Sequence, residues 1–151
     1  MRCSRLAREA GGGVAVAKRF GDWLRQAEQD LRHAHHSLEA GDHEWACFAC
    51  QQAAEKALKG LYDFLGGEGW GHSVLKLLKE LPRKVAKPLL EKGAYLDKLY
   101  IPARYPNGFA SGAPMDYFHQ TDAEEAIRHA EAILSFVQAE IRRSQRRGKG
   151  R

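Results

Sequence analysis

The sequence predicts an all-α protein, an up-down antiparallel bundle of about five helices with a long loop before the last one. Apolar residues recur at helical spacing in several separate segments, and glycines and prolines stand where those segments stop. No segment alternates at the period of two that a half-buried strand requires. With 151 residues and 44% hydrophobic content, the chain can build one core and little more. Residues 1–20 read as a flexible basic leader, 21–143 as the helical domain and 144–151 as a basic C-terminal tail, with no internal repeat.

The leader holds Gly11-Gly-Gly13 and no sustained period. From Asp22 the pattern changes. Trp23, Ala27, Leu31, Ala34 and Leu38 recur at helical spacing, and Gly41 stands where a left-handed C-cap belongs. Asp42 is placed to cap a second helix that reaches Leu65, where Gly66-Gly67 stop it. The short connection at Gly41 makes these two helices an antiparallel hairpin. Helix two carries Cys47, Cys50, Ala54, Leu58, Leu61 and Leu65 on one face, with Trp45, Phe48 and Ala49 as a second apolar patch. A helix apolar on more than one side lies centrally or enters an interface. Ser73 caps a shorter helix containing Leu75, Leu77, Leu78 and Leu81, which Pro82 ends. Pro88 opens the next at its first turn, and Pro102 prevents continuation past Leu99. Ile101 to Met115 is irregular. Thr121-Asp-Ala-Glu124 has capping-box spacing and precedes the stripe Ile127, Ala130, Leu134, Val137 and Ile141.

Several functional classes are excluded at this level. No apolar run approaches the ~20 residues of a membrane-spanning helix, and the basic N-terminus is followed by a stretch too short and glycine-broken for a secretory signal. The expectation is a cytoplasmic protein without membrane association. The net charge of +5 sits mostly at the ends. Arg2, Arg5, Arg8, Lys18 and Arg19 precede the first helix, and Arg142, Arg143, Arg146, Arg147, Lys149 and Arg151 close the chain. That distribution reads first as helix-end charge and a solvated tail. Its other use is salt-dependent binding of phosphate backbones.

Cys47-Phe-Ala-Cys50 has C-x-x-C spacing, but no strand precedes it as in redox folds and no second ligand pair exists for zinc. Core cysteines account for it, and no metal or cofactor is implied. His35 and His36 lie on a helix face that solvation explains equally well. Two features are harder to dismiss. Gln51, Gln52, Glu55, Lys56 and Lys59 make a polar seam on a helix that is otherwise apolar. An i, i+4 pair such as Glu55–Lys59 contributes only about 0.2–0.5 kcal/mol, too little to explain polar groups there, whereas a groove for a polar ligand would explain them. The loop after Ile101 offers Arg104, Tyr105 and Asn107, with Pro102 and Pro106 restricting the backbone. Arginine can grip phosphate with a planar fork and tyrosine can stack on a base.

These pieces together resemble the HEPN domain, a family of nucleotide- and RNA-associated helical bundles. The resemblance spans about Asp22 to Arg142. It rests on Trp23…Ala27…Asp30-Leu31, on Cys50-Gln-Gln-Ala-Ala-Glu-Lys-Ala-Leu-Lys-Gly60, on His72-Ser-Val-Leu75, on Tyr100-Ile-Pro-Ala-Arg-Tyr-Pro-Asn107 and on Asp122-Ala123 with the following helix. It implies a bundle that commonly forms homodimers and is often encoded beside a minimal nucleotidyltransferase, as in toxin–antitoxin pairs. Many members are ribonucleases whose site is an arginine followed four to six residues later by a histidine. Here Arg104 has no histidine in that window, and His119 is too distant to fit. The expectation is therefore a binding module for a nucleotide or RNA. Lys56, Lys59, His72 and Arg104 would receive phosphate, Tyr105 would stack on a base, and Gln51, Glu55 and Asn107 would add polar contacts. The alternative is a metal-independent ribonuclease with a non-standard site, for example Arg104 with His119.

Overall fold

A computed structural model describes residues 18–150, so most of the expected leader lies outside the described residues. Gly41, at φ 83°, folds the chain back between α1 (Phe20–Ala40) and α2 (His43–Phe64). A side chain would strain this left-handed backbone. The Gly41 N–H donates to the Leu38 carbonyl at 3.1 Å and the Asp42 N–H to that of Ser37 at 2.8 Å, which closes α1 as the sequence predicts. Asp42 does occupy the N-cap of α2, but its side chain makes no capping hydrogen bond. The two helices approach closely at Gly60, where a Cβ would lie 3.0 Å from Trp23 Cβ.

A shorter pair follows, α3 (Val74–Lys79) and α4 (Lys87–Asp97). Ser73 caps α3 as expected, its Oγ accepting from the Lys76 N–H at 3.1 Å. Asp97 reinforces that cap from the far end of α4. Its carboxylate accepts from the Ser73 hydroxyl at 2.7 Å and from the N–H groups of Val74 and Leu75 at 2.7 and 3.1 Å. The segment from Ile101 to Met115 is irregular but built. It contains a 3-10 turn at Pro106–Gly108 and leads into the one-turn helix α5 (Pro114–Tyr117). The Phe109 and Tyr117 rings stack at 4.1 Å, and the Tyr117 hydroxyl donates to the Ser111 carbonyl at 2.6 Å.

The last helix, α6 (Gln120–Lys149), starts earlier than the sequence suggests. Asp122 Oδ2 accepts from the His119 N–H at 2.8 Å, so His119 is the N-cap and Thr121 is already helical. At its other end α6 includes residues 144–149 of the expected tail. It runs antiparallel to α1, with Glu131 opposite His35 and Gln138 opposite Glu28. α2 is central and buries Leu58 and Leu61 with Leu77, Leu78, Leu96, Ile133 and Val137 from its neighbours. All six α-helices and no strand are found among the described residues, and no helix is long and apolar enough to cross a membrane.

Candidate functional site

The polar seam of α2 is in part inside the protein. Gln51 is fully buried and Glu55 is 4% exposed. A carboxylate at such depth is costly unless it is paired. Glu55 has two partners, Lys59 Nζ at 3.5 Å and His72 Nδ1 at 2.9 Å. Gln51 completes the arrangement, donating from Nε2 to the His72 carbonyl at 2.7 Å and accepting from Gln52 Nε2 at 2.8 Å. α2 thus holds residue 72 twice, by its backbone and by its ring. Because a carboxylate only accepts, Nδ1 is the nitrogen that donates to Glu55, and Nε2 makes no hydrogen bond among the described residues. The His72 side chain is 60% exposed, so this fixed imidazole faces solvent.

From His72 a ladder of planar groups leads to the loop. The His72 and Tyr100 rings stack at 5.0 Å and 15°. The Arg104 guanidinium lies 4.4 Å from the Tyr100 ring, 4.4 Å from that of Phe48 and 5.1 Å from that of Tyr105. Its Nε donates to the Tyr100 carbonyl at 2.7 Å. Ring faces attract a guanidinium but leave its charge intact. The two lysines proposed from the sequence are paired with carboxylates, Lys56 with Asp30 at 2.6 Å and Lys59 with Glu55 at 3.5 Å. Among the described residues Arg104 has no carboxylate partner, and its terminal nitrogens make no hydrogen bond.

Gln51, Glu55, Lys59, His72, Arg104 and Tyr105 therefore belong to one connected network. Lys56 is turned the other way, toward α1. With Asp30, His33, Trp45, Phe48, Ala49 and Gln52 it lines a groove of about 220 Å³. Phe48 is common to both regions, since its ring also underlies Arg104. Asn107 is exposed in the 3-10 turn, and among the described residues no side-chain hydrogen bond joins it to the network. Phe48, Tyr100 and Asp30 were not among the residues proposed from the sequence. The aromatics read as ordinary core residues, although Tyr100 and Arg104 stand four apart within a single turn-forming segment.

The remaining candidates separate from this site. Cys47 and Cys50 are fully buried. Burial, with the charges of Asp122 and Glu44 adding, pushes the Cys47 thiol up to about 12, and burial raises Cys50 well above the usual thiol range. These are neutral core thiols. Among the described residues no three His, Cys, Asp or Glu side chains are grouped to hold a metal ion. His119 is exposed at the α6 N-cap, without a hydrogen bond or ring contact to Arg104 among the described residues.

A family model of the HEPN domain matches residues 20–141. No curated protein has a significantly similar sequence. Solved structures do resemble the chain. TT1696 from Thermus thermophilus is 49% identical, with 82% of this chain and 98% of that one covered and a TM-score of 0.80. ST0689, an archaeal HEPN homologue, is 43% identical over 83% of this chain and 99% of its own, at a TM-score of 0.72. A HEPN-domain protein of Thermotoga maritima is 35% identical over 81% and 98%, at 0.68. By the family match, which agrees with the helical architecture, this chain belongs to the HEPN family.

Proposed function

We propose that the protein is a dimeric cytoplasmic module that binds a nucleotide or RNA and acts with a minimal nucleotidyltransferase, as one half of a toxin–antitoxin-like pair. The observation that carries the binding reading is the Arg104 guanidinium, held on aromatic faces with its charge unneutralised. A fork fixed before the ligand arrives loses little entropy on gripping phosphate. The base would rest on Tyr105, which is 48% exposed. His72 would offer its outer edge to phosphate, with Gln51 and Glu55 as its supports. Lys59, paired with Glu55, would help to hold that carboxylate in place, Lys56 would border the site from the α1 side, and Asn107 would add a polar contact at the rim. Dimerisation rests on what members of the family commonly do. The nucleotidyltransferase partnership rests on the family alone.

Titrating nucleotides and short single-stranded RNAs into wild type, Arg104→Ala and Lys56→Ala tests the site. A charge-assisted pair contributes about 1.5–3 kcal/mol, so Arg104→Ala should weaken binding by roughly 10- to 150-fold and Lys56→Ala by less. Unchanged affinity in both variants removes the proposed site. A second reading, metal-independent RNA cleavage, is favoured by the Glu55–His72 pair, which presents an oriented imidazole base near a cation. Wild type cleaving RNA while His72→Ala does not would establish it. Loss of cleavage in His119→Ala alone would assign the base to His119 instead.

A further inference from the structure

Ile141 is the last buried residue of α6, Ser144 is partly buried, and every residue from Gln145 to Gly150 is exposed. The helix nevertheless continues to Lys149, carrying five cations in its last eight residues. Arg143 is paired with Glu140 at 2.7 Å, and Glu140 also holds Arg83 at 3.2 Å. Arg142, Arg146, Arg147 and Lys149 have no acidic partner among the described residues. At 100° per residue the five cations fall within an arc of about 160°, centred opposite the direction in which Val137 and Ile141 enter the core. Like charges one turn apart repel, so this one-sided array opposes its own helix and is relieved only in part by the C-terminal dipole. An anionic partner lying along the face would remove that repulsion.

We infer that this cationic end of α6 binds the phosphate backbone of a polynucleotide. A lipid surface fits less well, because residues 142–150 contain no apolar side chain to enter the headgroup boundary. The array is separate from Arg104. α6 runs antiparallel to α1, so its end lies toward the start of α1, whereas Arg104 lies over Phe48 near the start of α2. Phe48 and Phe64, at the two ends of α2, are about 24 Å apart along its axis. The inference stands even if the Arg104 site fails. It implies a polymeric ligand rather than a mononucleotide.

The test is fluorescence anisotropy of the full chain with a labelled oligouridylate of about 20 nucleotides, between ~50 and ~250 mM KCl. Replacing Arg142, Arg146, Arg147 and Lys149 together by glutamine, a good helix former, should leave the helical spectrum intact. It should weaken binding at low salt at least about 10-fold and flatten the slope of log affinity against log salt by about 2 to 3, four backbone contacts at ~0.7 each. Restoring the three arginine positions as lysine should restore most of the slope. Arg104→Ala, run alongside, should leave the slope within about one unit of wild type, which separates the two surfaces. A slope unchanged in the glutamine variant, or no binding by wild type, overturns the inference. So does binding to phosphatidylserine vesicles that the glutamine variant loses while its oligouridylate affinity matches wild type.

Discussion

Replacing Asp97 by alanine removes three hydrogen bonds at once, two from the α3 N-terminal amides of Val74 and Leu75 and one from the Ser73 hydroxyl. A hydrogen bond to a charged acceptor contributes about 1.5–3 kcal/mol and a lost N-cap about 1. Asp97 is partly exposed, so water recovers some of this. The net cost should be about 3 kcal/mol. With an m-value of roughly 2 kcal/mol/M, the urea midpoint should fall by about 1.5 M. Ser73→Ala alone should cost about 1 kcal/mol, and the double variant less than the sum, because the two residues share a bond. In native-state hydrogen exchange, the Val74 and Leu75 amides should lose protection more than those of α1. A midpoint shift for Asp97→Ala below about 0.25 M would refute the reasoning, since the cap would then be carried by Ser73 alone.

Other perturbations have equally definite outcomes. Glu55→Gln leaves the Lys59 ammonium, 17% exposed, without its counter-charge and should destabilise by about 2–4 kcal/mol in thermal or urea unfolding. Gly60→Leu forces apart α1 and α2, where a Cβ alone would stand 3.0 Å from Trp23 Cβ, and should cost more than about 2 kcal/mol by the same measurement. In a Cys3→Ser background the native protein should react with a disulfide reagent at pH 8 only as fast as it unfolds. With the Cys47 thiol pushed up to about 12, its thiolate fraction there is about 10⁻⁴. Rapid native modification of either thiol would contradict that.

Local chemistry made much of this architecture legible. The αL glycine at Gly41 and the Ser73 cap act over a few residues, so their sequence signatures are complete. Asp97 lies 24 residues from Ser73, and nothing near it in the chain announces that it will cap a helix. At the start of α6, His119/Asp122 and Thr121/Glu124 both offer capping-box spacing, and the extended backbone at His119 decides between them. The α2 seam was visible because polar residues interrupt an apolar helix, yet its partition was not. Lys56 is 100° around the axis from Glu55 and meets Asp30 of α1, whereas Lys59 is about 40° from Glu55 and meets it directly. The loop's contribution was legible as Arg104 and Tyr105. What supports Arg104, Phe48 and Tyr100, looks from sequence like ordinary core aromatics.

The proposed binding turns on the Arg104 guanidinium being an anion receptor near His72. Nitrogen-detected side-chain NMR during an ATP titration addresses this directly, because the Arg104 Nε–H, bonded to the Tyr100 carbonyl at 2.7 Å, is held in place in the free protein. The expected result is saturable shifts of the Arg104 side-chain signals together with those of the His72 ring. Binding that moves other residues while leaving both of these unchanged would contradict it.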